Sequence, residues 1–222
     1  MSFPFSAVLF DLDGTLVDSA SDITTAVNRM LAEEGLEPVD EALVRSWIGD
    51  GTAVLLDTAL QHAGSTRSAA ELLPRFMEHY GDSLLLGPRV YPGVAETLAE
   101  LERRGVPMAV CTNKPEPFVA PLLEHLGLDD YFDAVVAAGT LPERKPHPRP
   151  LLHLAGQLQA PPHACLMVGD SETDYLAARA AGMPVVLVSW GYARSFNLRE
   201  ADALAVIDRA GDLLDLPVPT SP

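Results

Sequence analysis

The sequence predicts an α/β fold: a parallel sheet covered by helices on both faces, with a separate helical module set into it. Three observations predict this. From Val94 onward, helical spacing alternates with short apolar runs, the pattern of parallel strands joined by crossover helices. Between Ser19 and Gly87, four stretches of helical periodicity follow one another with no strand between them, which calls for a bundle of their own. Ala7–Phe10 is too short and too apolar for a surface segment and reads as a buried strand that stops abruptly at Asp11. The helical stretch separates that strand from the rest of its sheet.

Taken in order, Ser19, Ser21 and Asp22 offer N-cap chemistry, and Ile23, Ala26, Val27, Met30 and Leu31 recur at helical spacing until Gly35 ends the run. Asp40 can cap a second helix extending through Ile48. Leu55, Leu56, Ala59 and Leu60 mark a third, and Leu73, Phe76, Met77 and Tyr80 a fourth. Gly87-Pro88 and Tyr91-Pro92-Gly93 then punctuate the chain. Beyond them the expected strands are 107–111, 134–137, 164–168, 185–188 and 204–207, and the proline-rich tail from Pro217 reads as frayed.

Composition narrows the function. With 222 residues, 48% of them hydrophobic, the chain can bury a full core and a smaller second module. No run approaches the roughly 18 apolar residues of a membrane span, and no basic stretch precedes an apolar one at the N-terminus. Cys111 and Cys165 both lie in apolar runs and read as buried thiols, so a cytoplasmic location is expected. A formal charge of −16 and a pI near 4.6 repel nucleic acid and anionic lipid, so neither a nucleic acid nor a membrane is expected as partner. The six histidines show no metal-ligand spacing, no Gly-x-Ser-x-Gly elbow occurs, and neither cysteine lies next to an activating histidine. Zinc, serine and thiol hydrolases are disfavoured on those grounds.

Four positions at strand ends carry chemistry. Asp11 and Asp13 would gather negative charge on one side of an extended chain, and two such carboxylates repel unless a cation or proton intervenes. Gly14 permits a tight turn whose amides can face an anion, although an Asp-Gly pair also simply ends a strand. Thr112-Asn113 would place a hydroxyl and amides just past a second strand, where they could equally open a turn before Pro115. Lys145, held between prolines in LPERKPHP, could neutralise carboxylates and bind phosphate as a point charge. In CLMVGDSETD, Asp170 ends a strand and Asp174 falls on the first turn of the next helix; Ser171 or Asp170 could also be that helix's N-cap.

DLDGTL at Asp11–Leu16 resembles the first motif of the haloacid dehalogenase superfamily of phosphatases and phosphomutases, and Thr112, Lys145 and the Asp170/Asp174 pair match the other three in order. The resemblance covers essentially the whole chain. It implies a Rossmann-like core formed by residues 1–17 and 88–222, with an inserted α-helical cap at residues 18–87. It implies Mg²⁺ as cofactor, with Asp11 as nucleophile and metal ligand and Asp13 as general acid/base with its carbonyl on the metal. Gly14, Thr15, Thr112, Asn113 and Lys145 would hold phosphate, and Asp170 would bind metal with Asp174 supporting.

Within the superfamily, TNKPEP, LPERKPHPRPLL, VGDSETD and Ser189–Tyr192 look like bacterial phosphoglycolate phosphatases. RSWIG at Arg45–Gly49, followed by Asp50-Gly51, resembles the cap loop of that group and of β-phosphoglucomutase, which implies that Arg45, Gly49 and Gly51 meet the far end of the substrate. Arg45 could equally be a solvated helix residue. Ala138-Gly139-Thr140 departs from the Gly-Asp that many phosphoglycolate phosphatases carry there. The expected activity is phosphate-monoester hydrolysis, first of 2-phosphoglycolate, by a monomer or homodimer. Another small phosphorylated metabolite, a sugar phosphate or a phosphomutase reaction is the alternative.

Overall fold

The computed structural model describes residues 3–216. A six-stranded, wholly parallel sheet has its strands side by side in the order Ala134–Ala138, Met108–Pro115, Ala7–Phe10, Cys165–Gly169, Val185–Val188, Ala205–Ile207. Its strands are β1 (Ala7–Phe10), β4 (Met108–Pro115), β5 (Ala134–Ala138), β6 (Cys165–Gly169), β7 (Val185–Val188) and β8 (Ala205–Ile207). The side chains sort by the period of two that a strand imposes. Val8, Phe10, Met108, Val110, Leu166 and Val168 join one hydrophobic core, and Ala7, Leu9, Ala109, Cys111, Cys165 and Met167 join the other. Helices α5 (Val94–Arg103) and α6 (Val119–Leu126) pack on the first face, and α7 (Arg149–Gln157) and α8 (Glu172–Ala181) on the second. Burial on both faces is why these strands read as continuous apolar runs rather than alternating ones.

The topology selects the site. From β1 the chain passes to β4 and β5 on one side, then crosses to β6, β7 and β8 on the other. Strand order reverses around β1, and the crevice beyond the carboxyl ends at such a switch point is where open α/β sheets bind ligands. Asp11 follows the last residue of β1, with its N–H donating to the Val168 carbonyl at 2.9 Å.

A two-stranded antiparallel ribbon, β2 (Val17–Asp18) with β3 (Arg89–Val90), marks where the chain leaves the sheet and returns. Between them lie α1 (Ala20–Glu33), α2 (Glu41–Arg45), α3 (Thr52–His62) and α4 (Ala69–Ser83). Leu55, Leu56, Phe76 and Tyr80 from this insertion join the same hydrophobic core as the sheet's first face. Three differences from expectation follow from local chemistry. Helix α1 begins at Ala20, because Ser19 is the N-cap residue and its hydroxyl is spent on Asp13. Helix α2 stops at Arg45 rather than continuing to Ile48, and the chain turns so that Gly49 and Gly51 adopt φ of +127° and +94°. The ribbon strands are two residues each, too short to carry a periodic signal.

Cys111 and Cys165 are both free and buried. No helix among the described residues is long and apolar enough to cross a membrane. The tail from Pro217 lies outside the described residues.

Candidate active site

Strand β4 runs further than its apolar residues indicate, through Thr112, Asn113, Lys114 and Pro115. Its pairing with β5 slips there: β4 advances from Cys111 to Pro115 while β5 advances only from Val136 to Ala138. Such a bulge re-aims side chains, and Thr112, Asn113 and Lys114 line a cleft of about 50 Å³ shared with Asp11 and Asp13. Thr112 and Asn113 are therefore part of the strand's irregular end rather than a turn after it. Gly49, Gly51 and Thr52 of the insertion line the cleft from above the sheet edge, with Ile23, Ile48, Leu55 and Phe76.

Beside the cleft lies a buried cluster of opposite charges. The Lys145 ammonium donates to Asp11 Oδ1 at 2.7 Å and to Asp174 Oδ1 at 2.6 Å, and all three residues are buried. The other Asp174 oxygen accepts from the Ser171 hydroxyl at 2.6 Å, the Ser171 N–H at 3.1 Å and the Asp170 N–H at 3.3 Å. Ser171 is at the same time the N-cap of α8, with Asp174 completing its capping box, so capping and site-building share the same atoms. Asp170 accepts from the Thr15 hydroxyl at 3.3 Å and from the Tyr192 N–H. Gly14, at φ +95°, presses its backbone against this carboxylate, and any Cβ there would collide with it.

Burial dominates the electrostatics. It pushes the Asp11 carboxyl up to about 7; Lys145 opposes the rise and Asp174 adds to it. Burial also raises Asp170 well above the carboxylate range, and the charges of Asp11 and Asp174 raise it further. Burial alone would lower Lys145, but Asp11 and Asp174 outweigh it and hold the ammonium protonated. Oxygens of Asp11, Asp170 and Asp174 lie within 4.8 Å of one another. An all-oxygen donor set carrying this much mutual repulsion suits a hard divalent cation, which would reverse both carboxylate shifts. Asp174 holds Lys145 on one oxygen and three donors on the other, so it fits a supporting role; Asp170, whose oxygens accept one donor each, and Asp11, engaged through Oδ1, are the better placed to donate.

Asp13 is apart from this cluster. Its Oδ1 accepts from the Ser19 hydroxyl at 2.6 Å and from Lys114 Nζ at 3.0 Å, and its Oδ2 lies 3.3 Å from the same ammonium. Lys114 is itself buried and meets the hydroxyl of Tyr80 from α4. Sequence reasoning gave Lys114 and Tyr80 no part in the site, reading Tyr80 only as a helix-lining residue. The one available signal was the unbroken TNK at the end of an apolar strand, where a lysine must be buried or paired.

Three side chains expected to meet substrate have protein partners in this structure. Arg45 does not line the cleft: its guanidinium pairs with Asp18 of the ribbon at 2.7 Å and Glu41 of α2 at 2.8 Å and lies over the Tyr192 ring. The Thr15 hydroxyl donates to Asp170 at 3.3 Å, a contact separate from the turn amides expected to face phosphate. Asn113 donates its side-chain N–H groups to the carbonyls of Gly49 at 3.0 Å and Lys145 at 2.9 Å, so its side chain orients the lysine loop and the insertion, and only its backbone amide is left for the phosphate role expected of it.

A second tie joins the insertion to the sheet. Asp50 accepts from Thr173 at 2.7 Å and forms a two-pronged pair with Arg194. Arg194 and, against the cost of burial, Thr173 hold the Asp50 carboxyl below its usual range. What this pair adds to closure is present above about pH 3.9 and is lost as the pH falls through the lowered value. Asp50→Asn should speed hydrogen exchange in residues 46–51 and at the start of α8 while lowering global stability by no more than about 1 kcal/mol. Unchanged exchange would show that the contact does not fasten the two parts.

Together, the fold and the cluster define an α/β protein with a carboxylate-and-lysine centre for an anionic substrate at the carboxyl edge of a parallel sheet. The chain belongs to the haloacid dehalogenase-like hydrolase family, whose model matches residues 5–182. It is 46% identical over 212 residues to phosphoglycolate phosphatase 1 of Pseudomonas aeruginosa, covering 93% of this chain and 78% of that protein. It is 44% identical over 223 residues to the phosphoglycolate phosphatase of Rhodospirillum rubrum, covering 96% and 92%. The crystal structure of a predicted phosphoglycolate phosphatase from Haemophilus somnus superimposes with a TM-score of 0.89 at 36% identity, covering 96% of this chain and 97% of that one.

Proposed function

We propose that this protein is a Mg²⁺-dependent phosphatase that hydrolyses 2-phosphoglycolate to glycolate and phosphate through an aspartyl-phosphate intermediate. The observation that carries the reading is the Lys145 ammonium held between Asp11 and Asp174 at the sheet's switch point, in a chain whose relatives bear that name. On this reading the described residues 3–17 and 88–216 belong to the core and residues 18–87 to the cap, the two joined at the β2–β3 ribbon. The protein acts as a monomer or a homodimer.

Asp11 attacks phosphorus in line and the bond to the ester oxygen breaks. Asp13, carrying a proton, delivers it to that oxygen, and glycolate leaves as an alcohol. Asp13, now ionised, removes a proton from water as the water oxygen attacks phosphorus. The bond from phosphorus to Asp11 breaks, and phosphate leaves. Lys145 lies against the nucleophile, where it offsets the repulsion between Asp11 and an anionic phosphate. Mg²⁺ held by Asp11 and Asp170, with the Asp13 carbonyl, would supply further positive charge at that point. Thr112 lines the cleft beside Asp11 and supplies a hydroxyl for the phosphate oxygens. The small cleft suits a two-carbon leaving group.

A panel of phosphate monoesters assayed with Mg²⁺ tests the reading: phosphoglycolate should give the highest kcat/KM, and activity should vanish in excess chelator. Ca²⁺ should inhibit, because its larger and looser coordination misplaces the attack. Full rates in chelator would remove the metal from the mechanism. Conversion of β-glucose 1-phosphate to glucose 6-phosphate, in place of free glucose, would make the protein a mutase.

A further inference from the structure

We propose that Lys114 is the residue that selects the substrate, its ammonium taking the carboxylate that phosphoglycolate carries beyond its ester oxygen. The inference rests on the phosphoglycolate reading. That substrate presents two anionic ends joined by a single methylene, so the cleft that receives its phosphate at Asp11 must also meet a carboxylate close by.

Ile23, Ile48, Leu55 and Phe76 offer that carboxylate no donor, and Lys114 is the one lysine or arginine among the described residues that line the cleft. Arg45 is held by Asp18 of the ribbon and Glu41 of α2. Lys145 is shared between Asp11 and Asp174 and serves the phosphate end. A buried carboxylate is strongly disfavoured without a cation or several donors; Thr52 and the backbone of Gly49 and Gly51 also line the cleft but carry no charge, so Lys114 is the one cation left to pair with it.

Its position fits. The Lys114 ammonium is 3.0 and 3.3 Å from the two oxygens of Asp13, the group that gives its proton to the ester oxygen. The substrate's carboxylate carbon is two bonds from that oxygen, so a cation bonded to Asp13 is already beside the place the carboxylate must occupy. An ammonium has three N–H groups. Here two face Asp13 and one meets Tyr80, so a substrate carboxylate can take over one of the two bonds to Asp13 and leave the other in place. Tyr80 belongs to α4, which makes the selecting cation a joint product of cap and core. An ester with no charge near its oxygen leaves Lys114 on Asp13.

The test compares phosphoglycolate with ethyl phosphate, which replaces the carboxylate by a methyl group, in the native protein and in Lys114→Met. Both rates should fall, because Lys114 also steadies Asp13. The expected result is a further loss of kcat/KM on phosphoglycolate of roughly 10- to 150-fold, the worth of a hydrogen bond to a charged group, together with loss of competitive inhibition by glycolate. Lys114→Gln keeps a donor and serves the same comparison if Lys114→Met does not fold. Equal losses on the two esters with glycolate inhibition retained would overturn the role given to Lys114. A native protein that shows no preference for phosphoglycolate over ethyl phosphate would instead overturn the substrate assignment, before any variant is made.

Discussion

Asp11→Asn should lose at least roughly 10⁴-fold in kcat while remaining folded, the scale at which removal of a nucleophile is felt. The amide nearly matches the carboxylate in shape but cannot form the acyl phosphate. Stability should not suffer much. In the native protein, burial together with the Asp174 and Asp13 charges makes the ionised Asp11 costly, enough to raise it to about 7 against the opposing pull of Lys145. Removing that charge loses one Lys145 contact and relieves the repulsion at the same time. Circular dichroism and an unfolding curve check the fold, and a sensitive phosphate-release assay checks the rate. A pure preparation of the variant with near-native turnover would end the proposed mechanism.

Lys145→Met should lower both stability and activity, and its effect on stability should be the largest of the changes considered and should depend on pH. The substitution strands Asp11 and Asp174 in a buried place without their cation, and breaking such a pair typically costs about 3–5 kcal/mol. The sign follows from the protons. Without Lys145 the ionised form of Asp11 becomes costlier still, so its folded value rises further above the unfolded value near 3.9. Between those values the folded state binds more protons than the unfolded one, and stability therefore falls as pH rises. The variant should stand closest to the native protein near pH 5.5 and furthest from it near pH 8. Urea midpoints at both values decide the matter, and a penalty independent of pH would mean that lost packing outweighs the stranded charge.

Most of the site was legible because its residues sit at ends of apolar runs. Asp11, Asp170 and the Ser171–Asp174 cap each mark the point where burial on both faces stops and polar chemistry begins, and a parallel sheet brings such points to one edge. The misreadings share a different physics. Arg45 has a long side chain whose direction is set by Asp18 and Tyr192, far from it in sequence, and nothing in RSWIG encodes that choice. Lys114 was hidden because a strand bulge, not the strand's period, decides where TNK points. The Asp50 tie spans 123 residues to Thr173 and 144 to Arg194, distances over which periodicity says nothing.

The central claim is that Asp11 carries the phosphoryl group between two displacements. In Asp13→Asn the second displacement lacks its base, and p-nitrophenyl phosphate needs no acid to lose its leaving group, so the intermediate should accumulate. Acid quenching, digestion and mass spectrometry should then find one phosphoryl group on the peptide that contains Asp11, sensitive to hydroxylamine as an acyl phosphate is. Phosphate found on another residue, or an unmodified Asp11 peptide while p-nitrophenol is released in a burst, would contradict the account.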